Sequence, residues 1–196
     1  MSLDYDFFSI SPELTTPQKG KVLISEPFIG DQYFKRSVVL LTEHSKEGSV
    51  GFVLNKPVDI KVKEVIKGFP NIEAVVSMGG PVGTDTIHYL HTLGEIIPDS
   101  VHVFEDLYWG GNFETVKDML ETGLISDHKI RFFVGYSGWG PKQLEREISE
   151  DSWVITQIPP IRIMENRSSD SWKEALVQLG KKYKLWANFP DNPDLN

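Results

Sequence analysis

The stretch Gly135-Tyr136-Ser137-Gly138-Trp139-Gly140-Pro141-Lys142-Gln143 holds the residue types most able to do chemistry in this chain. An apolar run ends there, glycines free the backbone, and Pro141 suits the first position of a helix. The first amides of a helix lack partners inside it and sit at the positive end of its dipole, so an anion could bind there. Lys142 would add charge. Gln143 and Glu147, four apart on one face, could hydrogen-bond a ligand. The competing reading is a tight strand-to-helix turn in which Trp139 plugs the core. The same turn approaches a nucleophile elbow, whose Gly-x-Ser-x-Gly pattern lifts a serine on a strained turn. Gly135 and Ser137 fit that pattern, but the bulky Trp139 stands where the second small residue is needed.

Other constellations are weaker. His88 and His91 are three apart, and in a strand, which Ile87, Tyr89 and Leu90 favour, they point to opposite faces. That disfavours a shared metal and leaves His91 as a hydrogen-bonded or site-lining residue. His44, beside Glu43, reads as a solvated turn residue. Asn55-Lys56-Pro57 ends a strand, and Asn55 could face a groove or satisfy backbone groups locally. Gly79-Gly80-Pro81-Val82-Gly83 lacks the spacing of a phosphate-binding loop and reads as a sharp turn. Glu105-Asp106 before Tyr108-Trp109-Gly110-Gly111 places acids and aromatics near a turn, with Trp109 either core or part of a contact patch.

Composition narrows the chemistry further. The chain has 196 residues and no cysteine, which excludes disulfides, thiolate zinc sites and a cysteine nucleophile. Its formal charge of −8 opposes a phosphate backbone, and no basic patch offsets it. Lys61, Lys63 and Lys67 are diluted by Asp59 and Glu64, and Lys181, Lys182 and Lys184 read as solvated helix surface. No apolar run approaches membrane-span length, and the start lacks a secretory pattern. No membrane association is expected, the absence of cysteine suits a reducing cytoplasm, and neither cofactor nor metal is implied.

The elements that must position these residues are interleaved. Strand-like runs fall at 21–25, 37–42, 49–54, 74–78, 87–91, 101–105, 129–136 and 152–157. Helical patterns fall at 62–67, 112–121, 141–149 and 171–179, with Asn112 as a cap and Ser171-x-x-Glu174 as a capping box. The expectation is one α+β domain over residues 1–196. It has a mixed, largely antiparallel β-sheet that could curl towards a barrel, flanked by three or four helices. Residues 1–19 would be an arm or short helix, and 188–196 a tail.

Several blocks, in order, resemble the YqgE/AlgH family. They are Pro27-Phe28 with Phe34-Lys35-Arg36-Ser37-Val38-Val39, then Gly51-Phe52-Val53-Leu54-Asn55-Lys56-Pro57, then Gly79-Gly80-Pro81 with Leu90-His91. Gly135-Tyr136-Ser137-Gly138-Trp139 with Gln143-Leu144-Glu145 and Trp153 follows, and Asp170-x-Trp172 closes the series. Lys142 replaces a usual glycine, and the tail differs from the Gly- and His-containing one common in the family. The resemblance implies an α+β fold around mixed sheet and bacterial cytoplasmic proteins of largely unassigned function, some labelled transcriptional regulators. It also implies that alanine often replaces Ser137, which argues against a serine nucleophile. The leading expectation is a non-enzymatic binding or regulatory protein with a protein or small-molecule partner. Its candidate groove comprises Arg36, Asn55, Gly79, Gly80, His91, Ser137, Trp139, Lys142 and Gln143. The alternatives are an enzyme or binder of a small anionic or nucleotide-like ligand, and a DNA-binding regulator. The last fits poorly, because the 141–149 helix carries Glu145 and Glu147 and enters from a strand rather than a helical turn.

Overall fold

The computed structural model describes residues 16–165 and 168–190. The segment 1–15 of the expected arm and residues 191–196 of the expected tail lie outside the described residues. The strands are β1 (Val22–Ser25), β2 (Val38–Ser45), β3 (Gly48–Val53), β4 (Pro57–Lys61), β5 (Val75–Met78), β6 (Val82–His91), β7 (Val101–Phe104), β8 (Leu107–Trp109), β9 (Ile130–Trp139) and β10 (Trp153–Thr156). The helices are α1 (Val62–Val65), α2 (Phe113–Glu121), α3 (Gln143–Ser149), α4 (Pro160–Glu165), α5 (Ser171–Gln178) and α6 (Lys181–Ala187).

The strands form one sheet in the order β10-β1-β2-β3-β9-β6-β8-β7, with β5 beside β9 and β4 beside β5. The two end strands, β10 and β7, do not pair, so the sheet is not closed into a barrel. All pairings are antiparallel except β5 with β9.

Strand β9 is the spine. One edge pairs with β6 from Ile130 to Tyr136. The other edge changes partner along its length, meeting β5 at Phe132–Val134 and β3 at Ser137–Trp139. The change needs a close backbone crossing, and Gly79-Gly80 supplies it. Gly79 donates its N–H to the Val134 carbonyl, and its own carbonyl accepts from Val53 N, both at 2.8 Å. A Cβ on Gly80 would lie 2.3 Å from the Tyr136 carbonyl, so no larger residue fits without moving the strand.

Strand β2 reads as a continuous apolar run because both its faces are covered. Val38 and Leu40 join the core beneath α4, α5 and α6, with Phe52, Phe133 and Trp172. Val39 and Leu41 face the opposite way, into a core with Trp139, Leu144 and Trp153 under α3. A third core lies under α1 and α2, around Phe69, Tyr89, Val116 and Phe132. Each fully buried aliphatic side chain contributes about 1.5–3 kcal/mol of transfer free energy.

The fold class is as expected, but there are more helices than the sequence pattern showed. Helix α4, in a stretch to which the sequence pattern assigned no element, follows Pro159; Pro160 sits at its first position, where no amide donor is needed. Helix α1 stops at Val65 because Ile66 turns to an extended conformation.

Candidate functional site

The turn between β9 and α3 is occupied by its own side chains. Helix α3 starts at Gln143, not at Pro141, and the exposed Lys142 takes a left-handed conformation with φ of 58°. Gln143 turns its Oε1 back to accept from the Gly140 amide at 3.0 Å. Its Nε2 donates to Glu147 Oε1 at 2.9 Å. The other oxygen, Glu147 Oε2, accepts from Trp139 Nε1 at 2.9 Å and Trp153 Nε1 at 2.8 Å. Phe34 stacks on Trp139 with ring centroids 5.7 Å apart. Trp139 therefore plugs the core. Ser137 lies inside β9, wholly buried, and donates to the Gly79 carbonyl at 3.0 Å. A serine held inside a strand is not lifted for attack, so the elbow geometry is absent here.

Arg36 and Asn55 meet at a second place. Asn55 is buried; its Oδ1 accepts from Val38 N at 2.9 Å and its Nδ2 donates to the Arg36 carbonyl at 2.8 Å. The Arg36 guanidinium lies 4.8 Å from the Trp172 ring centre and donates to the Phe189 carbonyl at 2.6 Å. These contacts tie the segment before β2 to the end of β3, to α5 and to the segment after α6.

His91 sits at a third place. It pairs with Ile130 at the start of β9, whereas Trp139 ends that strand. At about 3.3 Å per residue the two are roughly 30 Å apart along the strand. The Leu93 amide donates to His91 Nδ1 at 3.3 Å, so Nε2 carries the proton and donates to the Gly110 carbonyl at 3.1 Å. Burial holds the imidazole below its ordinary pKa, and the Gly110 carbonyl only partly opposes that. His88 faces the other side of β6, against Phe52 and Tyr136. The structure thus joins Gly79 and Gly80 to Ser137, and Arg36 to Asn55, and sets His91 apart from Trp139, Lys142 and Gln143.

An open cleft of about 510 Å³ lies elsewhere, lined chiefly by Ile66, Ile87, Tyr89, Val101, Trp109 and Phe113, with His88 at its wall. It exists because β8 is short. After Trp109 the chain turns away through Gly110 and Gly111, and a Cβ on Gly111 would fall 2.5 Å from Ser100 Oγ. The Tyr89 hydroxyl donates to the Gly111 carbonyl at 2.7 Å and fixes this turn. Burial raises the Tyr89 pKa to about 12 and lowers that of His88, so both walls are uncharged at neutral pH. A second cavity, of about 470 Å³, is lined by Asp106, His128, Lys129, Ile161, Met164 and Glu165, and mixes charges of both signs. Among the described residues no three His, Asp or Glu side chains cluster as a metal site would require.

The AlgH-like family model matches residues 22–184 of this sequence. The chain belongs to the AlgH-like family. Among its relatives, the UPF0301 protein BF2109 of Bacteroides fragilis is 45% identical, with both chains covered completely. A UPF0301 protein of Chlorobium limicola is 40% identical over 90% of this chain and 95% of its own. The solution structure of the AlgH protein from Pseudomonas aeruginosa superposes with a TM-score of 0.71 at 25% identity, covering 90% of this chain and 97% of that one. The crystal structure of DIP2367 from Corynebacterium diphtheriae shares the fold, with a TM-score of 0.72 at 21% identity and coverage of 89% and 93%.

Two features of this AlgH-like chain escaped the sequence pattern. The cleft combines Ile66, Ile87, Val101 and Phe113 from separate elements, and only the Tyr108-Trp109-Gly110-Gly111 cluster marked its position. Arg131 is 1% exposed and reaches into the core under α4. Its Nη1 donates to the Ile163 carbonyl at 2.6 Å, its Nη2 donates to the Leu54 carbonyl, and its guanidinium lies 5.1 Å from the Phe133 ring centre. The available signal was a charge inside the otherwise apolar run of β9.

Proposed function

We propose that this AlgH-like protein is a binding protein rather than a catalyst, and that its working surface is the cleft between β6, β8 and α2. One observation carries the reading. The cleft is open, apolar and uncharged, with a volume in the range of small-molecule and side-chain pockets. The polar side chains that chemistry would need are taken up within the protein itself. Ser137, Asn55, His91 and Gln143 all hydrogen-bond the protein's own backbone. An anion-binding role for the start of α3 has less support, because Gln143 occupies the Gly140 amide. A regulatory role would be exercised through whatever fills the cleft. Duplex DNA fits poorly with a net charge of −8. The lack of cysteine and of any helix long and apolar enough to cross a membrane, among the described residues, accords with a cytoplasmic site of action.

The test uses the neutral fluorophore N-phenyl-1-naphthylamine, whose emission rises in an apolar site. Emission should rise with the wild-type chain and fall back with Trp109→Ala and with Val101→Asp, which places a carboxylate in the wall. No enhancement with the folded wild-type chain, or equal enhancement with all three proteins, would refute the cleft as the binding surface.

A further inference from the structure

The backbone beside the cleft specifies what kind of molecule enters it. Strand β8 covers β6 only at Leu90 and His91. One more bond, from Gly110 N to the Tyr89 carbonyl at 2.9 Å, ends the contact. From Val82 to His88, β6 has β9 on one edge and no strand on the other among the described residues. In an antiparallel ladder the N–H and C=O of one residue point to the same side, and the side alternates along the strand. The Tyr89 carbonyl points to the β8 side, as its bond to Gly110 shows. Ile87, two residues earlier and in regular register with Val134, therefore presents both its N–H and its C=O to the uncovered side. That side is the cleft, for Ile87 and Tyr89 are among its lining residues.

An uncovered strand edge is normally protected by charge, proline, a bulge or a covering loop. Here the bulge between Val82 and Ile87 interrupts the upper part of the edge. Among the described residues, the part at Ile87 has only the cleft beside it. An exposed apolar side chain flanks it: Val101, which lines the cleft, is 39% exposed. Among the described residues, no carboxylate or ammonium group lines the space.

We infer that the cleft takes an extended, uncharged segment of a partner protein, which adds as a strand to the open edge of β6 at Ile87 and presents alternate apolar side chains to the Trp109 face and to the Phe113 face of the sheet. The inference rests on the cleft reading above and makes it more specific. A small apolar molecule would fill the space but leave the Ile87 amide and carbonyl without partners. One residue of an antiparallel strand satisfies both. The added strand would continue the line that β8 vacates at Gly110, so it extends a pairing the sheet already has. The neutral walls select uncharged side chains, since a charge brought there would lose its water without gaining a partner.

The experiment uses the full chain, ¹⁵N-labelled, with the blocked peptide acetyl-Ser-Val-Thr-Leu-Ser-Val-amide and its counterpart N-methylated at alternate residues. The first peptide should shift the amide signals of Ile87, Tyr89, Trp109 and Gly110 and slow exchange of the Ile87 amide by about tenfold or more, as a new ladder bond would. The N-methylated peptide, with the same side chains, should bind at least about tenfold more weakly, as should the first peptide to Val101→Asp. Equal binding of the two peptides, or an unchanged Ile87 amide, would overturn strand addition. So would a dimer of this chain, paired through the same edge, that the peptide fails to dissociate. The two readings fail separately: fluorophore binding without peptide protection of Ile87 removes only the strand, whereas absence of fluorophore binding removes the cleft.

Discussion

Trp139 and Trp153 share one hydrogen-bond acceptor, donating both indole N–H groups to the same oxygen of Glu147. One tryptophan ends the spine strand β9, the other begins the edge strand β10, and Glu147 belongs to α3. The carboxylate thus fastens a helix to two strands that do not pair with each other. Glu147→Gln keeps the size but offers only one acceptor oxygen for three donors. Loss of a charged acceptor from a half-buried site should cost about 1–3 kcal/mol. Urea unfolding followed by tryptophan emission measures this, and a midpoint equal to wild type would show that the carboxylate is not a structural tie.

Arg131 hydrogen-bonds the carbonyls of Leu54 and Ile163, at the end of β3 and within α4. Arg131→Met fills similar space but leaves two buried carbonyls short of a donor. A loss of about 2–4 kcal/mol is expected. Arg131→Lys should recover only part of it, because an ammonium cannot reproduce the guanidinium fork. Chemical denaturation of the three proteins checks both statements; a lysine variant as stable as wild type would contradict the fork argument.

Much of the sheet was legible because its strands are covered on both faces and read as apolar runs, as in Val38–Leu41. The unread parts follow from geometry that linear spacing does not encode. The switch of β9 from β5 to β3 depends on Gly79-Gly80 approaching Tyr136, a contact across more than fifty residues of chain. The candidate site suffered most. Polar residues at strand ends look alike in sequence whether they face solvent or cap backbone groups. Asn55, Ser137 and His91 all proved to cap backbone groups. The cleft was almost silent, since apolar residues that line a cavity and those that fill a core have the same types.

The buried His91 makes stability depend on pH. Its imidazole pKa is lowered from the ordinary 6.5, with burial the cause. The unfolded chain therefore binds a proton at a higher pH than the folded one. Stability from this group is complete above about 6.5 and is lost as pH falls from there towards the folded value. His88 is shifted in the same direction by burial and adds to the slope. Thermal unfolding between neutral pH and mildly acidic pH should show a falling midpoint. His91→Gln should reduce that fall while lowering stability at neutral pH. An unchanged slope in the variant would assign the pH dependence to other groups.

Ser137→Ala separates a structural serine from a catalytic one. The hydroxyl is wholly buried and donates to the Gly79 carbonyl at the crossing of β3, β5 and β9. That carbonyl already accepts from Val53 N, so removing the hydroxyl leaves it with one partner rather than none. The expected cost is about 1 kcal/mol, near that of an ordinary neutral hydrogen bond. Binding at the β6–β8 cleft should be unaffected, because Ser137 is not among its lining residues. Denaturation and fluorophore titration of the same variant test the two halves together. A fully stable variant that has lost a measurable activity of the wild-type chain would restore Ser137 as a reacting group and overturn its assignment as a backbone tie.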